Sequence, residues 1–258
     1  MGGALLSGLL ARGLDPRMVV VQDPEPRGPV ADLLADNCID VLPVIDELTA
    51  PPSVILLAVK PQVMDAVLPG LARLAGPDTL IVSIAAGRRI SGIETHFPGT
   101  PAVVRTMPNT PAAIGKGITV AVANANVTTM QKAIVDDLLG AAGEVVWIDD
   151  EELLDAATAV SGSGPAYVFH LAECLTEAGL AAGLDARLAE KLAVATIAGS
   201  AALLEGSDLP AGTLREHVTS PGGTTAAALE VLQGEGGLKD LLTAAVAAAK
   251  KRGRELAK

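Results

Sequence analysis

Along the first half of the chain, short apolar runs alternate with stretches of helical spacing. Val54-Ile55-Leu56-Leu57-Ala58-Val59 is apolar at every position, as a strand buried on both faces of a parallel sheet must be. Runs at 18–22, 79–84, 102–106, 118–123 and 145–148 predict further strands, with a weaker one at 39–42. Between them, 1–13, 29–37, 63–74, 90–97 and 129–139 carry the 3.6-residue periodicity of helices. Beyond Asp149 the strands stop. Helices are predicted over 151–160, 165–182, 185–204, 209–217, 225–233 and 238–256, with Pro165 at a first turn and Gly183 and Gly206 as stops.

Alternation of strand and helix calls for an α/β architecture, a Rossmann-like doubly wound sheet over residues 1–150, followed by an all-α domain over 151–258. In such sheets ligands sit beyond the carboxyl ends of the strands. Three turns occupy that edge: Ala58-Val59-Lys60-Pro61, Ile84-Ala85-Ala86-Gly87 and Met107-Pro108-Asn109-Thr110. Their small residues let a flat cofactor approach the backbone. A dinucleotide fold also needs a first strand and a Gly-x-Gly turn ahead of its first helix. Met1-Gly2-Gly3 matches only the tail of that fingerprint, so a sheet lacking its first strand is expected. Asp23, ending the next strand, stands where an acid holds the ribose hydroxyls of NAD, and Arg27 nearby could instead meet a 2′-phosphate. The sequence does not separate NAD from NADP.

The helices of the second half are apolar on more than one side. Residues 193–204 hold only Thr196 and Ser200 as polar side chains, and helices of that kind must be buried. A bundle this small has few interior positions, so two copies of the chain are expected to bury these faces against each other.

Composition narrows the function. The 258 residues are half hydrophobic, yet no apolar run approaches a membrane span. A net charge of −11 and aromatics at 2% argue against nucleic acid as a partner. Cys38 and Cys174 match no metal spacing and read as small core residues of a reducing, cytoplasmic protein without a secretory signal. His96, His170 and His217 are scattered, which disfavours a metal site. Ser161-Gly162-Ser163-Gly164 leads from helix to helix, not from strand to helix as a nucleophile elbow does. With no acid/base pair in evidence, hydride transfer by a bound cofactor suits the inventory better than hydrolysis.

One stretch stands apart: His217-Val218-Thr219-Ser220-Pro221-Gly222-Gly223-Thr224-Thr225 interrupts two Ala/Leu-rich helical patterns. Pro221 fixes one φ, the glycines open dihedrals closed to other residues, and Thr224 or Thr225 can start a helix. This is the geometry of an anion-binding nest. Read alone, it is equally a Gly-rich connection with a Thr cap.

Taken in order, these motifs, together with Ser83-Ile84-Ala85-Ala86-Gly87, Met107-Pro108-Asn109-Thr110-Pro111 and Ser161-Gly162-Ser163-Gly164-Pro165-Ala166-Tyr167, resemble pyrroline-5-carboxylate reductase over nearly the whole chain. The resemblance implies reduction of 1-pyrroline-5-carboxylate to L-proline by hydride from a nicotinamide cofactor, usually NADPH in this family and otherwise NADH. It implies homodimers with interlocked helical domains, sometimes assembled into decamers, with each active site at a dimer interface. It gives the 220–225 loop to the substrate carboxylate, through Ser220 and the backbone amides of Gly223, Thr224 and Thr225. Thr158 matches the threonine facing the ring nitrogen, and Glu151 a residue near bound proline. Met1, Gly2, Asp23, Ala58, Val59, Lys60, Pro61, Ile84, Ala85, Ala86 and Asn109 fall to the cofactor. Family members begin with a strand and a Gly-x-Gly-Asn-Met turn, whereas this chain starts at that Met; a sequence shortened at its start is expected. Two alternatives share the architecture: a non-catalytic dimeric protein that binds proline or a nucleotide, and a reductase of the hydroxyacid or deazaflavin kind.

Overall fold

The structure, a computed structural model, describes residues 1–256. Its first half runs α1 (Gly2–Ala11), β1 (Val20–Gln22), α2 (Pro29–Asp36), β2 (Asp40–Leu42), β3 (Val54–Leu57), α3 (Met64–Ala72), β4 (Leu80–Ser83), α4 (Ile90–Glu94), β5 (Ala102–Met107), β6 (Gly117–Ala123), α5 (Thr129–Gly140) and β7 (Gly143–Trp147). The second half holds α6 (Leu154–Ala157), α7 (Gly164–Ala181), α8 (Ala186–Glu205), α9 (Ala211–His217), α10 (Thr224–Gln233) and α11 (Leu238–Leu256).

A five-stranded sheet orders its strands β3-β4-β5-β6-β7. β3, β4 and β5 are parallel, and β6 runs antiparallel to β5. The link between β5 and β6 explains that reversal: it holds only a 3-10 turn, Thr110–Ile114, ended by Gly115 at φ 70, and is too short for the crossover a parallel return needs. β1 and β2 form a separate parallel pair. In the doubly wound order 3-2-1-4-5-6, the strand before the first helix lies between the strands that are here β1 and β3. Among the described residues those two do not pair, so the sheet is interrupted where the sequence pattern predicts.

Period-2 alternation gives the large sheet two apolar faces. One packs Ile81, Val103, Val120 and Val122 with Met64, Leu68, Ile93, Phe97 and Leu154. The other packs Leu80, Val82, Val104 and Ala121 with Leu5, Val135 and Leu139. Leu5 of α1 is wholly buried there, worth about 1.5–3 kcal/mol by apolar burial.

Two compact units divide the chain: residues 1–162 with the end of α11 from Lys250 on, and residues 163–249. The sequence pattern sets the boundary after Asp150. The segment after that residue stays with the sheet because Leu154 joins its core. In the second unit the only buried hydrophobic residues, among those described, are Ala189 and Ala193. α7 and α8 approach through small residues, a Cβ at Gly179 falling 3.1 Å from that of Ala189. Their large side chains face outward, Phe169 at 65% and Leu203 at 60% exposure.

Three sequence expectations need correction. Cys38 and Cys174 are exposed: Cys38 takes a left-handed φ of 51 just past α2, and Cys174 stands on an uncovered face of α7. The helix expected over 151–160 divides into a 3-10 turn Glu151–Leu153, the single turn of α6, and a π turn Thr158–Gly162. The hydroxyls of Thr158 and Ser161 donate to Leu154 O at 2.7 Å and Ala157 O at 2.9 Å, side-chain bonds that compete with a regular helical ladder. Lastly, the reading of the 220–225 loop as a Thr-capped connection fails, because Gly223 caps α10, while the helix opens at Thr224 as expected. No helix of the described residues is long and apolar enough to cross a membrane.

Candidate active site

Sheet order brings the turns after β3 and β4 side by side at the carboxyl edge. Ile84 N–H donates to Leu57 O at 3.1 Å, and Ala85, 5% exposed, directs its N–H to Ser83 Oγ at 3.3 Å. Lys60 and Ala86 stay exposed. α1 starts against the same edge: a Cβ at Gly2 would lie 2.9 Å from Ala58 Cβ, and one at Gly3 2.6 Å from Val30 Cγ2. The backbone opening α1 is thus wedged between the end of β3 and the start of α2, with Met1 as a cap that offers no side-chain acceptor. Its first N–H groups have no intrahelical acceptor, the arrangement that favours a phosphate.

Asp23 follows β1, and its Oδ1 accepts Glu25 N–H at 2.9 Å. Arg27 pairs with Glu25. Two carboxylates and one guanidinium therefore share this short loop.

One face of β5 and its extension holds the segment that carries Thr158. Arg105 Nη1 donates to Glu151 Oε1 at 2.8 Å. Met107 packs where a side chain at Gly162 would go. Asn109, 8% exposed, donates through Nδ2 to Ser161 O at 3.2 Å and accepts Ile118 N–H on Oδ1 at 3.0 Å. Glu151 Oε1 also accepts Ile90 N–H, at 2.9 Å, where α4 begins. Arg89 adds a bond to Glu152 at 2.5 Å. That partner raises the guanidinium's pKa, and Arg89 in turn holds the Glu152 carboxyl below its ordinary value. Burying an arginine is costly, and among the described residues Arg105 Nε has no hydrogen-bond partner, a loss of about 1–3 kcal/mol.

Sequence reasoning named Glu151, Thr158 and Asn109 singly and missed the arrangement linking them. The signal was Arg105, a lone charge inside the apolar run of β5, which demands a buried acid nearby.

In the second unit, Gly222 turns the 220–225 loop at a φ of 67, which a side chain rarely adopts. Gly223 N–H closes onto Ser220 O at 3.0 Å. The amides of Thr224 and Thr225 then head α10 without intrahelical acceptors, an arrangement that favours an anion.

Comparison with known proteins agrees with both halves. A model of the family described as pyrroline-5-carboxylate reductase dimerisation matches residues 151–256, and one described as NADP oxidoreductase, coenzyme F420-dependent, matches residues 1–87. Pyrroline-5-carboxylate reductase of Pseudomonas aeruginosa is 41% identical across 100% of this chain and 93% of its own length. The chain belongs to the pyrroline-5-carboxylate reductase family. The Synechocystis reductase is 40% identical over 100% of this chain and 96% of its own. Among solved structures, the Coxiella burnetii enzyme superposes with a TM-score of 0.91 at 33% identity, covering 99% of this chain and 94% of that one. The Plasmodium falciparum reductase, solved with NADP bound, gives 0.83 at 30% identity over 100% and 95%.

Proposed function

We propose that this chain reduces 1-pyrroline-5-carboxylate to L-proline, the last step of proline biosynthesis, with NADPH as donor and NADH as a possible substitute. The observation that carries the reading is similarity to reductases of that name along the entire chain. A nicotinamide cofactor supplies the hydride, which goes to the carbon of the C=N bond while a proton goes to nitrogen. The residues at the carboxyl edge suit such a group: Gly2 and Gly3 leave no room for side chains where α1 opens, and Ala58, Val59, Lys60, Pro61, Ile84, Ala85 and Ala86 line the adjoining turns.

Each assigned role rests on the chemistry of the side chain. Ser220 and the amides of Thr224 and Thr225 take the substrate carboxylate, joined by the Gly223 amide once it turns from Ser220 O, which it now meets at 3.0 Å. Thr158 faces the ring nitrogen; its proton now goes to Leu154 O, so donation requires the hydroxyl to turn. An imine protonates far more readily than an alcohol or amide, so a hydroxyl with water suffices and no strong acid is needed. Met1, Gly2, Asp23 and Asn109 complete the cofactor side. Glu151 acts near the substrate from its place beside Arg105.

Uncovered Leu, Val and Phe side chains on α7 and α8 support a homodimer as the working unit, and a decamer of such dimers is the larger assembly to seek by light scattering. We place the protein in the cytoplasm, where its two free thiols would stay reduced.

A second reading, a proline- or nucleotide-binding protein without turnover, would use the same 220–225 loop and the same opening of α1. Oxidation of NADPH or NADH on adding pyrroline-5-carboxylate, run side by side, decides between them. Turnover with either supports the reductase; proline binding without turnover supports the second reading.

A further inference from the structure

Arg105 is hard to explain as a contributor to stability. It sits in the third of five strands, 4% exposed, on the face where its neighbours Val103 and Met107 join an apolar core. Its Nε is buried with no partner among the described residues. An apolar side chain of similar volume would fill the site with no polar atom to satisfy, and buried ion pairs are commonly replaceable in that way without loss. An orphaned buried donor in a native fold calls for another explanation.

The connections of the guanidinium supply one. Arg105 holds Glu151 Oε1 at 2.8 Å, and the same oxygen takes Ile90 N–H at 2.9 Å. A single carboxylate oxygen thereby joins three parts of the fold. One is the middle of the sheet. Another is the start of α4, three residues past the Ala85-Ala86-Gly87 turn assigned to the cofactor. The last is the head of the segment ending in the π turn that carries Thr158. Asn109 and Met107, at the next alternate positions, hold the far end of that segment at Ser161 and Gly162. The segment is fixed at both ends by one edge of β5, and only at the Arg105 end is the cofactor turn fixed with it.

We propose that Arg105, acting through Glu151, is a positioning residue that sets the distance between the cofactor turn and Thr158. This goes beyond assigning Glu151 to the substrate, and it rests on the reductase reading above. In this proposal Arg105 acts only through Glu151. It keeps a hydroxyl and a cofactor loop from different elements in one register, the kind of geometry in which an error of about 1 Å can cost a hundredfold in rate.

The test is the paired replacement Arg105→Met with Glu151→Leu, which removes both charges and leaves neither unpaired, alongside Arg105→Lys. Melting temperature, cofactor affinity by calorimetry, and steady-state kcat and KM are measured for each. The proposal expects the pair to melt slightly below the wild type, since Ile90 N–H loses its acceptor, and to bind cofactor within about twofold, while kcat falls about tenfold or more; a rise in KM without a fall in kcat would instead mark the loss of Glu151 from the substrate. Arg105→Lys, which restores a donor to Glu151, recovers part of the lost kcat. Wild-type kcat in a folded double variant overturns the proposal. A double variant that fails to fold passes the decision to Arg105→Lys: reduced kcat at unchanged KM supports it, unchanged kcat overturns it. If the wild-type chain turns over no pyrroline-5-carboxylate, the functional reading falls by itself. The strut is then judged by amide exchange at residues 84–90 and 158–162. At least tenfold faster exchange in both segments of the double variant supports it, and unchanged exchange in either overturns it.

Discussion

Met107 occupies the space that any side chain at Gly162 would need. A Cβ at Gly162 would lie 2.9 Å from Met107 Cε and 3.3 Å from Thr158 Cγ2. The first contact is cheap to relieve, because Cε is the far end of a flexible side chain. The second is not, because Thr158 lies in the same π turn. Gly162→Ala is expected to destabilise by about 1 kcal/mol, the lower end for overpacking. It should cost about ten- to a hundredfold in turnover by displacing the Thr158 hydroxyl. Thermal melts beside steady-state rates check both; a variant with wild-type kcat would show that the position of Thr158 is not critical.

Thr158→Ala removes the hydroxyl together with its bond to Leu154 O, one of two such bonds in the π turn, the other being kept by Ser161. A positioned proton donor contributes about a hundredfold or more, so kcat should fall by that order. Cofactor affinity, measured without substrate, should hold, and Thr158→Ser should retain most of the activity. An unchanged rate for the alanine variant would remove Thr158 from the chemistry.

How much of this was legible in the sequence follows from what each level of structure depends on. Strands β3, β4 and β5 were readable because burial on both faces leaves an unbroken apolar run. The antiparallel turn of β6 was not, since strand direction is set by the length of the connection and not by the strand's residues. Glu151 and Thr158 could be named, but the π turn could not. It arises where two hydroxyl-to-carbonyl bonds and a Met–Gly contact compete with a helical pattern that reads as regular. The cysteines misled because their exposure in α7 and past α2 depends on which helix faces lie uncovered in a single chain.

The loop after β1 bears on cofactor choice. Asp23 and Glu25 put two carboxylates there, and Arg27 is paired with Glu25. A 2′-phosphate near such a loop would meet more negative than positive charge. Two unit charges 4 Å apart in water interact by about 1 kcal/mol, close to fivefold in affinity. Asp23→Ser should therefore tighten NADPH about fivefold while weakening NADH, whose ribose hydroxyls lose an acceptor. Calorimetry with each cofactor reads this directly. Equal shifts for both would show that the loop does not meet the ribose.

Acid sensitivity should localise in part to the Arg89–Glu152 pair. Arg89 lowers the Glu152 carboxyl first through a direct hydrogen bond and then through its charge. A carboxylate lowered on folding contributes stability that is fully present above its ordinary pKa of about 4.3 and is lost as pH falls through the lowered value. Glu152→Gln should thus reduce the urea midpoint at neutral pH slightly and flatten the acid limb of the midpoint–pH curve. The pair is exposed, so the change should be small and should shrink further in high salt. A curve identical to wild type at low ionic strength would mean the pair contributes nothing.

The arrangement of α8 makes the sharpest statement about assembly. Ala189 and Ala193 face inward and are buried, while Leu188 and Leu192, one residue before each, stand 42% and 48% exposed. Helices built for a self-sufficient bundle place their large residues inside and their small ones outside. Here the small residues are used for close approach to α7, and the leucines project from the unit. A second copy of the chain covering those leucines would recover about 1.5–3 kcal/mol for each fully buried one. Leu192→Glu is therefore expected to shift the sedimentation profile from dimer to monomer at micromolar concentration. Because the residue lies outside the α7–α8 contact made by Gly179 and Ala189, the separated chain should keep its helical circular dichroism at low temperature. It should lose turnover in proportion to the dimer lost, with activity returning as protein concentration rises. A dimer that survives Leu192→Glu unchanged would place the interface on another face of the second unit.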